Sequence, residues 1–314
     1  MSYCLYFVVP CYNDSQSLPL SVPVFLKKLN TYIEKGRISD DSRLLLINDA
    51  SADNTWDVIM SLKKLYTKIS AINLSHNVGE ENALLAGMSA AIKKADCVIT
   101  MDSDLQDDIQ AVEEMLHHFE LGCDIVYGVR RFRNEDGFFE RCSSECFYSL
   151  MHFAKTGLIR QHANYRLMSK KAVLKLLNYK ALHFYLPCVV SNMDFKSAVV
   201  YHDRKQRIAG KTHYSFAKKL RLALHAFFTH WNPSRMFWYA ILCFCGAADG
   251  FFLSLLLIQW LIKGTGSKAA GSAVVICLCI TVILSVFFLI FKFMKKRLRA
   301  TVKTARFDIQ QIVE

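Results

Sequence analysis

The chain has 314 residues, a formal net charge of +12 and a hydrophobic content of 53%. This composition is too apolar for an ordinary soluble enzyme and too charged for a protein embedded wholly in a membrane. The length allows one or two globular domains with a sizeable core.

The first half of the chain alternates short apolar runs with helical patterns. Residues 5–9, 44–47, 69–74, 97–101 and 125–127 are predicted to be strands, and residues near 15–35, 53–67, 80–94 and 109–121 are predicted to be helices. The alternation predicts an α/β fold with a mostly parallel sheet that helices cover on both faces. Such sheets bind ligands at the carboxyl ends of their strands.

Candidate binding-site residues, most of them polar, follow four of the predicted strands. They are Pro10, Tyr12, Asn13 and Asp14 after the first, Asn48, Asp49 and Ser51 after the second, His76 and Asn77 after the third, and Asp102 and Asp104 after the fourth. Since the carboxyl ends of parallel strands meet at one edge of the sheet, we expect these residues to lie near one another.

Four carboxylates follow the fourth predicted strand, at positions 102, 104, 107 and 108. Alternate residues at a strand end point to the same face, so Asp102 and Asp104 can share one divalent cation. We expect Asp104 to be exposed there. Asp107 and Asp108 precede a helical pattern, and we interpret them as residues of the helix start, where Asp is favoured by capping and by the helix dipole.

The region between about residue 130 and residue 215 is less regular and more basic. Its cations include Arg130, Arg131, Arg133, Arg160, Arg166, Arg204, Arg207 and Lys211. Two interpretations stay open: these residues form a solvated surface, or they bind a phosphate-rich substrate whose metal is held by the Asp-x-Asp pair.

The C-terminal third predicts contact with membrane lipids. Residues 215–231 carry Lys and Arg on one side and apolar residues on the other, which indicates an interfacial helix. Two apolar segments follow at 237–262 and 269–291, each longer than the about 20 residues that a hydrocarbon core requires. Lys and Arg are concentrated outside the pair, whereas the connector holds only Lys263 and Lys268, so both termini are predicted to be cytoplasmic.

These patterns predict four parts: a cytoplasmic globular domain over 1–214, a juxtamembrane amphipathic segment over 215–236, two transmembrane helices over 237–294, and a cytoplasmic basic tail over 295–314. We expect no nucleic-acid partner, because the basic residues border the apolar segments and no nucleic-acid motif is present. The eleven cysteines do not predict a disulfide scaffold, since thiols of a cytoplasm-facing chain stay reduced.

One ionisable residue, Asp249, lies inside the first apolar segment. It either contacts a lipid phosphate or a neighbouring subunit, or it lies at a seam between two helices. We favour the seam, because the small neighbours at positions 246, 247, 248 and 250 let helices approach closely.

An ordered set of motifs covers nearly the whole chain. It consists of VVPCYNDSQSL, LLINDASADNT, LSHNVGEENALLAG, MDSDLQDD, YGVR, NYRLMSKKAV and DRKQRIAGKTHY, followed by the two apolar segments. In this order the motifs resemble the family-2 glycosyltransferases that load a sugar onto a polyprenyl phosphate. That group includes the bacterial undecaprenyl-phosphate sugar transferases and dolichol-phosphate mannose synthase.

The resemblance implies a Rossmann-like GT-A catalytic domain that uses a nucleotide sugar and Mg²⁺ or Mn²⁺ and inverts the anomeric centre at the cytoplasmic face of the bacterial plasma membrane. It further implies polyprenyl phosphate as the acceptor, a homo-oligomer like the tetramers of relatives, and a flippase that takes over the lipid-linked sugar. The product would serve modification of cell-envelope glycans. The bacterial members favour a uridine nucleotide, and the sugar stays open.

The resemblance also assigns roles to individual residues. Pro10, Tyr12, Asp14 and Asp49 would line the nucleoside pocket, Asp102 and Asp104 would hold the metal and the diphosphate with Gln106 as an additional ligand, and Arg130, Arg204 and Arg207 would contact the donor phosphates. The family usually has Glu at the position of Asp14. Arginine suits phosphate contacts through its planar fork of donors.

Three departures from the family pattern lie in the second half of the chain. Asn164-Tyr165-Arg166 replaces Asp-Phe/Tyr-Arg, whose acid is the family's candidate general base; His213 replaces a Lys near the phosphates; and residues 184–188 lack an Arg-Gly pair. We expect Asn164 to orient the acceptor or Arg166 by hydrogen bonding, because a lipid phosphate with a second pKa of about 6 is its own nucleophile near neutral pH.

The departures keep other functions open. One alternative is a non-catalytic relative that binds nucleotide sugars or membrane partners as a regulator, and another is a transferase that acts on a different lipid or on a growing polysaccharide. The retained residues Asp49, Asp102, Asp104 and Arg207 favour the enzyme, since a non-catalytic relative is free to lose its metal ligands.

Overall fold

The structure is a computed structural model that describes residues 2–131, 149, 159, 162–179, 186–203, 235–263, 268–300 and 307–314. It forms two compact units, one comprising Met1–Ala223 with Thr304–Glu314 and the other comprising Leu224–Lys303. Several sequence predictions lie outside the described residues: Arg133, Arg160, Arg204, Arg207, Lys211, His213, the interfacial segment 215–231, and residues 184 and 185 of the third departure.

The described strands and helices alternate over the first half of the chain. The strands are β1 (Leu5–Cys11), β2 (Arg43–Asn48), β3 (Ile69–Leu74), β4 (Cys97–Thr100), β5 (Ile125–Arg130), β6 (His162–Ser169), β7 (Ser197–His202) and β8 (Ile309–Val313). The helices are α1 (Leu18–Glu34), α2 (Thr55–Leu65), α3 (Glu80–Ala91), α4 (Ala111–Glu120), α5 (Lys170–Leu177), α6 (Leu186–Ser191), α7 (Arg235–Lys263) and α8 (Lys268–Ala300). The five predicted strands and the four predicted helices of this half are therefore confirmed.

The strands form one sheet in the order β7-β5-β6-β4-β1-β2-β3-β8. The central strands β4, β1, β2 and β3 are parallel, and β6 runs antiparallel between β4 and β5. The strand order reverses at β1, because β2 and β3 follow on one side of it and β4 lies on the other. The mostly parallel sheet that the sequence predicts is confirmed.

Hydrophobic side chains cover both faces of the sheet, which explains why its strands are nearly continuous apolar runs. One face packs Phe7 and Leu44 against α1, α2 and α4, and the other packs Val8 and Ile47 against α3, α5 and α6. At Gly87 of α3, an added Cβ would lie 2.7 Å from the side chains of both Val8 and Ile47. The helix thus approaches the sheet more closely than any larger residue would allow.

The C-terminal residues add an edge strand to the first unit. Strand β8 pairs antiparallel with β3, from Ala71 opposite Val313 to Leu74 opposite Ile309, and Lys94 Nζ lies 2.6 Å from a carboxylate oxygen of Glu314. The sequence analysis missed this strand and predicted only a basic tail, because the short pattern IQQIV is no strand signal without its pairing partner.

The second unit contains α7 and α8, of 29 and 33 residues. The hydroxyl of Thr281 donates a hydrogen bond to Asp249 Oδ2 at 2.9 Å, so the seam predicted for Asp249 is confirmed. Within the described ranges, none of the helices has a stretch that is both long and apolar enough to cross a membrane. The two transmembrane helices predicted from the sequence are therefore not confirmed and stay a prediction.

Candidate active site

The carboxyl ends of β1, β2 and β4 meet at the point where the strand order reverses, which is where open α/β sheets bind ligands. Pro10 lies in the central strand β1, a position where a missing N–H usually disrupts pairing. In this protein the pairing between β1 and β4 ends before Pro10. The last hydrogen bond runs from the backbone N–H of Met101 to the carbonyl oxygen of Val8, and residue 10 is the next residue of β1 whose backbone faces β4. Pro10 therefore borders the opening between β1 and β4.

Each of the four loops at this edge contains a residue with positive φ. The values are 55° at Asn13, 47° at Ala50, 85° at Gly79 and 55° at Leu105. Non-glycine residues seldom adopt this conformation, and where it occurs it often marks a functional site. The loops after β1, β2, β3 and β4 thus share a backbone feature that the sequence pattern did not predict.

Asp14 joins the loop after β1 to the loop after β4. One oxygen of its carboxylate accepts hydrogen bonds from the Tyr12 amide at 3.0 Å and from the Ser103 hydroxyl at 2.8 Å. Burial nevertheless raises the pKa of Asp14 above its usual value. Tyr12 itself keeps 36% of its surface exposed beside this junction.

Asp49 is 2% exposed and holds the chain at the start of α3. One carboxylate oxygen accepts the Val78 amide at 2.8 Å and the other accepts the Gly79 amide at 2.9 Å. Burial raises the pKa of Asp49, although the two amides act in the opposite direction. The residue predicted to line the nucleoside pocket thus also positions the N-terminus of a helix.

A chain of neutral hydrogen bonds crosses the same loops and reaches the sheet edge. The backbone N–H of Asn13 donates to the Ser51 hydroxyl, which in turn donates to the side-chain oxygen of Asn48. The side-chain NH₂ of Asn48 donates to Asn73, and the NH₂ of Asn73 donates to the side chain of Gln310 in β8 at 3.2 Å. Sequence reasoning identified the members near the strand ends and missed the connection through β3 to the C-terminal strand.

The Asp-x-Asp pair lies in the loop after β4. Asp104 is only 6% exposed, so the expectation of an exposed side chain is wrong. Its Oδ1 atom accepts a hydrogen bond of 3.0 Å from the backbone N–H of Gln106, which closes a turn around Leu105 in the left-handed conformation. Asp102 keeps 32% of its side chain exposed, and its pKa is raised well above the usual range. Burial is the main cause, followed by the carboxylates of Glu80, Asp107 and Asp104.

Asp107 forms a buried ion pair instead of starting a helix. Its Oδ1 atom lies 2.9 Å from Arg130 Nη2, which lies 3.9 Å from Asp102 Oδ2. The interpretation of Asp107 as a helix-start residue is wrong, because α4 begins at Ala111 and the side chain of Asp107 instead neutralises the partly buried guanidinium of Arg130. Arg130 therefore lies within the carboxylate cluster, where its pKa is raised by Asp107 and Asp102 despite burial.

Asn164 connects a carboxylate to a buried guanidinium. Its Nδ2 atom donates to Glu80, and its Oδ1 atom accepts a hydrogen bond of 2.6 Å from Arg166 Nη2. Arg166 is 1% exposed. The expected hydrogen bond between Asn164 and Arg166 is confirmed. Sequence reasoning missed Glu80, whose only signal was its position at the start of the third predicted helix.

The donor chemistry of this cluster fits a divalent cation. Among the residues that the structure describes, no group of three or more Asp, Glu, His or Cys side chains forms a ready-made metal cage. Mg²⁺ typically uses one or two carboxylates together with substrate phosphates, and a carboxylate with a raised pKa gains most from a nearby cation. Asp102, whose pKa is raised, and Asp104 in the same loop supply the carboxylates that such a site would use, and the metal-binding roles of Asp102, Asp104 and Gln106 stay predictions.

Comparisons with known proteins agree with this geometry. Residues 6–177 match the family described as Glycosyl transferase family 2. The chain is 39% identical over 221 residues to the uncharacterized glycosyltransferase YkoT of Bacillus subtilis strain 168. The aligned residues cover 70% of this chain and 66% of YkoT. The chain is 27% identical over 269 residues to the bactoprenol glucosyl transferase of Shigella phage SfV, which covers 85% of both.

A solved structure also resembles this chain. Glucosyl-3-phosphoglycerate synthase from Mycobacterium tuberculosis superposes with a TM-score of 0.50 at 12% identity, over 74% of this chain and 82% of that one. At this identity the similarity shows a GT-A-like α/β fold alone.

Proposed function

The chain belongs to glycosyl transferase family 2 and is a glycosyltransferase, and from this premise we propose that it transfers a sugar from a nucleotide-diphosphate sugar to polyprenyl phosphate. The observation that carries the proposal is the carboxylate cluster around Asp102 at the strand-order reversal, beside the partly buried Arg130. Such a cluster suits a cation bound to a diphosphate leaving group.

The donor would bind across the loops after β1, β2 and β4. Tyr12 offers an aromatic face, and the loops that Asp14 and Asp49 stabilise shape the nucleoside pocket. A divalent cation on Asp102 and Asp104 would neutralise charge on the departing diphosphate. Arg130 adds a fixed positive charge to the same cluster, which would stabilise the negative charge of the leaving group without the reorganisation that solvent requires. We favour a uridine nucleotide and inversion at the anomeric carbon.

The acceptor proposal depends on the relatives and on acid–base chemistry. Several similar proteins are named bactoprenol glucosyl transferases, including the Shigella phage protein that matches 85% of this chain. A lipid phosphate with a second pKa of about 6 is mostly dianionic at neutral pH, so it needs no strong base to attack. The amide of Asn164 is compatible with this chemistry.

We further propose that the protein works at the cytoplasmic face of a bacterial plasma membrane, with both termini in the cytoplasm. Support comes from the distribution of Lys and Arg around the two apolar segments and from exposed apolar side chains on the second unit, such as Phe244 at 77% and Ile262 at 75%. The homo-oligomer and the flippase partner stay predictions.

Transfer to undecaprenyl phosphate tests the proposal directly. The purified full chain in detergent would be incubated with a panel of uridine and guanosine nucleotide sugars, with Mg²⁺, with Mn²⁺, and with a chelator. We expect one donor to yield the lipid-linked sugar in a metal-dependent reaction. Metal-dependent nucleotide-sugar binding without transfer to any lipid acceptor would favour the non-catalytic regulator instead.

A further inference from the structure

We infer that Glu80 is a positioning residue that supplies, from the first turn of α3, the carboxylate that this chain lacks at position 164. In this arrangement Glu80 holds the amide of Asn164, and Asn164 holds the guanidinium of Arg166. The inference rests on the proposed function, since it assigns these residues to the transferase site.

The hydrogen bonds determine the orientation of the Asn164 amide. A carboxylate accepts only and a guanidinium donates only, so the NH₂ group must face Glu80 and the oxygen must face Arg166. An aspartate at position 164 has no N–H to offer. It would place two carboxylates in contact, which is unfavourable unless position 80 becomes a donor.

The fold brings these residues together although 84 positions separate Glu80 from Asn164 in sequence. Strand β6 runs antiparallel to β4 with Arg166 opposite Thr100, which places Asn164 beside the loop that carries Asp102. On the other side, Asp49 bonds the amides just before α3, and Gly79 turns the chain with a φ of 85°. The carboxylate of Glu80 is thus held by a rigid helix start.

The hydrogen-bonded chain connects Glu80 to a positive charge at the end of β4. Arg166, which Asn164 contacts, lies opposite Thr100, two residues before Asp102. Arg166 is 1% exposed, and a buried guanidinium requires negative partners. The Glu80–Asn164–Arg166 chain therefore fixes a buried positive charge beside the loop whose carboxylates are proposed to bind the cation, where a small displacement would misalign the reacting groups.

A double-mutant cycle with a donor–acceptor exchange tests this inference. The variants are Glu80→Gln, Asn164→Asp and the double variant, in which the Gln amide can donate to the new carboxylate. We expect each single variant to lower kcat for transfer by about tenfold or more, with little change in the KM of the nucleotide sugar. The double variant should recover to within about threefold of the wild type.

Glu114→Gln is the matched control, because Glu114 occupies the first turn of α4 and keeps 57% of its side chain exposed. It should leave kcat unchanged. Thermal unfolding of all variants, with and without Mg²⁺ and nucleotide, separates misfolding from misalignment. Additive effects on kcat, or wild-type kcat in Glu80→Gln, would overturn the inference while leaving the transferase proposal intact.

An inactive wild type would overturn the proposed function instead. In that case the same four proteins are compared by how far Mg²⁺ and the nucleotide together raise the unfolding temperature of each. Non-additivity between positions 80 and 164 in that rise would support the pairing at the binding site, and additivity would overturn it.

Discussion

Asp49 and Asp102 lie at the ends of the two strands that flank β1, and the protein stabilises them in opposite ways. Asp49 is almost fully buried and bonds two backbone amides, so neutral donors stabilise its charge. Asp102 is a third exposed, has the carboxylates of Glu80, Asp104 and Asp107 as neighbours, and lies 3.9 Å from Arg130 Nη2. The first arrangement fixes the shape of the site, and the second leaves negative charge for a ligand to neutralise.

This difference indicates which acidic residues serve folding and which serve binding. A carboxylate whose hydrogen bonds are internal stabilises the folded chain, and its removal leaves buried donors without partners. Burial raises the pKa of both aspartates, but Asp102 also has like charges around it, so removing its carboxylate relieves repulsion. The two kinds of site should therefore respond to mutation with opposite signs.

The largest effect is expected for Asp102→Asn. We predict a loss of transfer activity of at least about a thousandfold, or ~4 kcal/mol of barrier, because the carboxylate proposed to bind the cation is removed. The unfolding temperature without metal should not fall, since the ionised form of Asp102 is disfavoured in the folded state. Asp41→Asn, at an exposed site away from these loops, is the control. Activity within about tenfold of wild type would contradict the metal assignment.

The next effect is expected for Arg130→Met, which leaves Asp107 buried without its guanidinium. We predict a loss of about 3 kcal/mol in the free energy of unfolding, as for other broken buried ion pairs. Denaturant unfolding measures this loss. Adding Asp107→Asn to the same chain should recover much of it, because the unpaired charge is removed; a double variant as unstable as Arg130→Met would show that packing dominates.

A smaller effect is expected for Asp49→Asn, which should lower the stability of the folded chain, whereas Asp102→Asn should not. The amide keeps one acceptor oxygen and sets its NH₂ group against a backbone N–H, so one of the Val78 and Gly79 amides loses its partner. We predict a loss of about 2 kcal/mol in the free energy of unfolding, together with weaker nucleotide binding. Equal or greater stability of this variant in denaturant would remove the distinction between the two aspartates.

The smallest effect concerns pH and His202, which is 4% exposed with its Nε2 atom 3.7 Å from Asp107. Burial lowers the pKa of His202, although Asp107 acts in the opposite direction. The unfolded chain therefore binds a proton near pH 6.5 that the folded chain binds only at lower pH, so stability should fall as the pH drops through about 6.5. Unfolding curves of wild type and His202→Gln at pH 5 to 8 should differ in this slope; parallel curves would contradict it.

The sequence predicted the strands β1 to β5, four helices, and the acidic residues at the strand ends, because each depends on local apolar periodicity and on strand direction. It did not predict β6, β7 or β8. Strand β6 has the mixed sequence HANYRLMS and is strand because it fits between β4 and β5. Strand β8 depends equally on the exposed edge of β3.

The sequence by itself determined which chemical groups reach the ligand edge of the sheet, since the order of strands and turns places carboxylates there. Only the tertiary structure decided which partners those groups have. The pairs Asp107–Arg130 and Glu80–Asn164 join residues 23 and 84 positions apart. Their contact depends on the register of neighbouring strands and on the start of a helix. The free energy of a charged group is set by those neighbours, which no local pattern specifies.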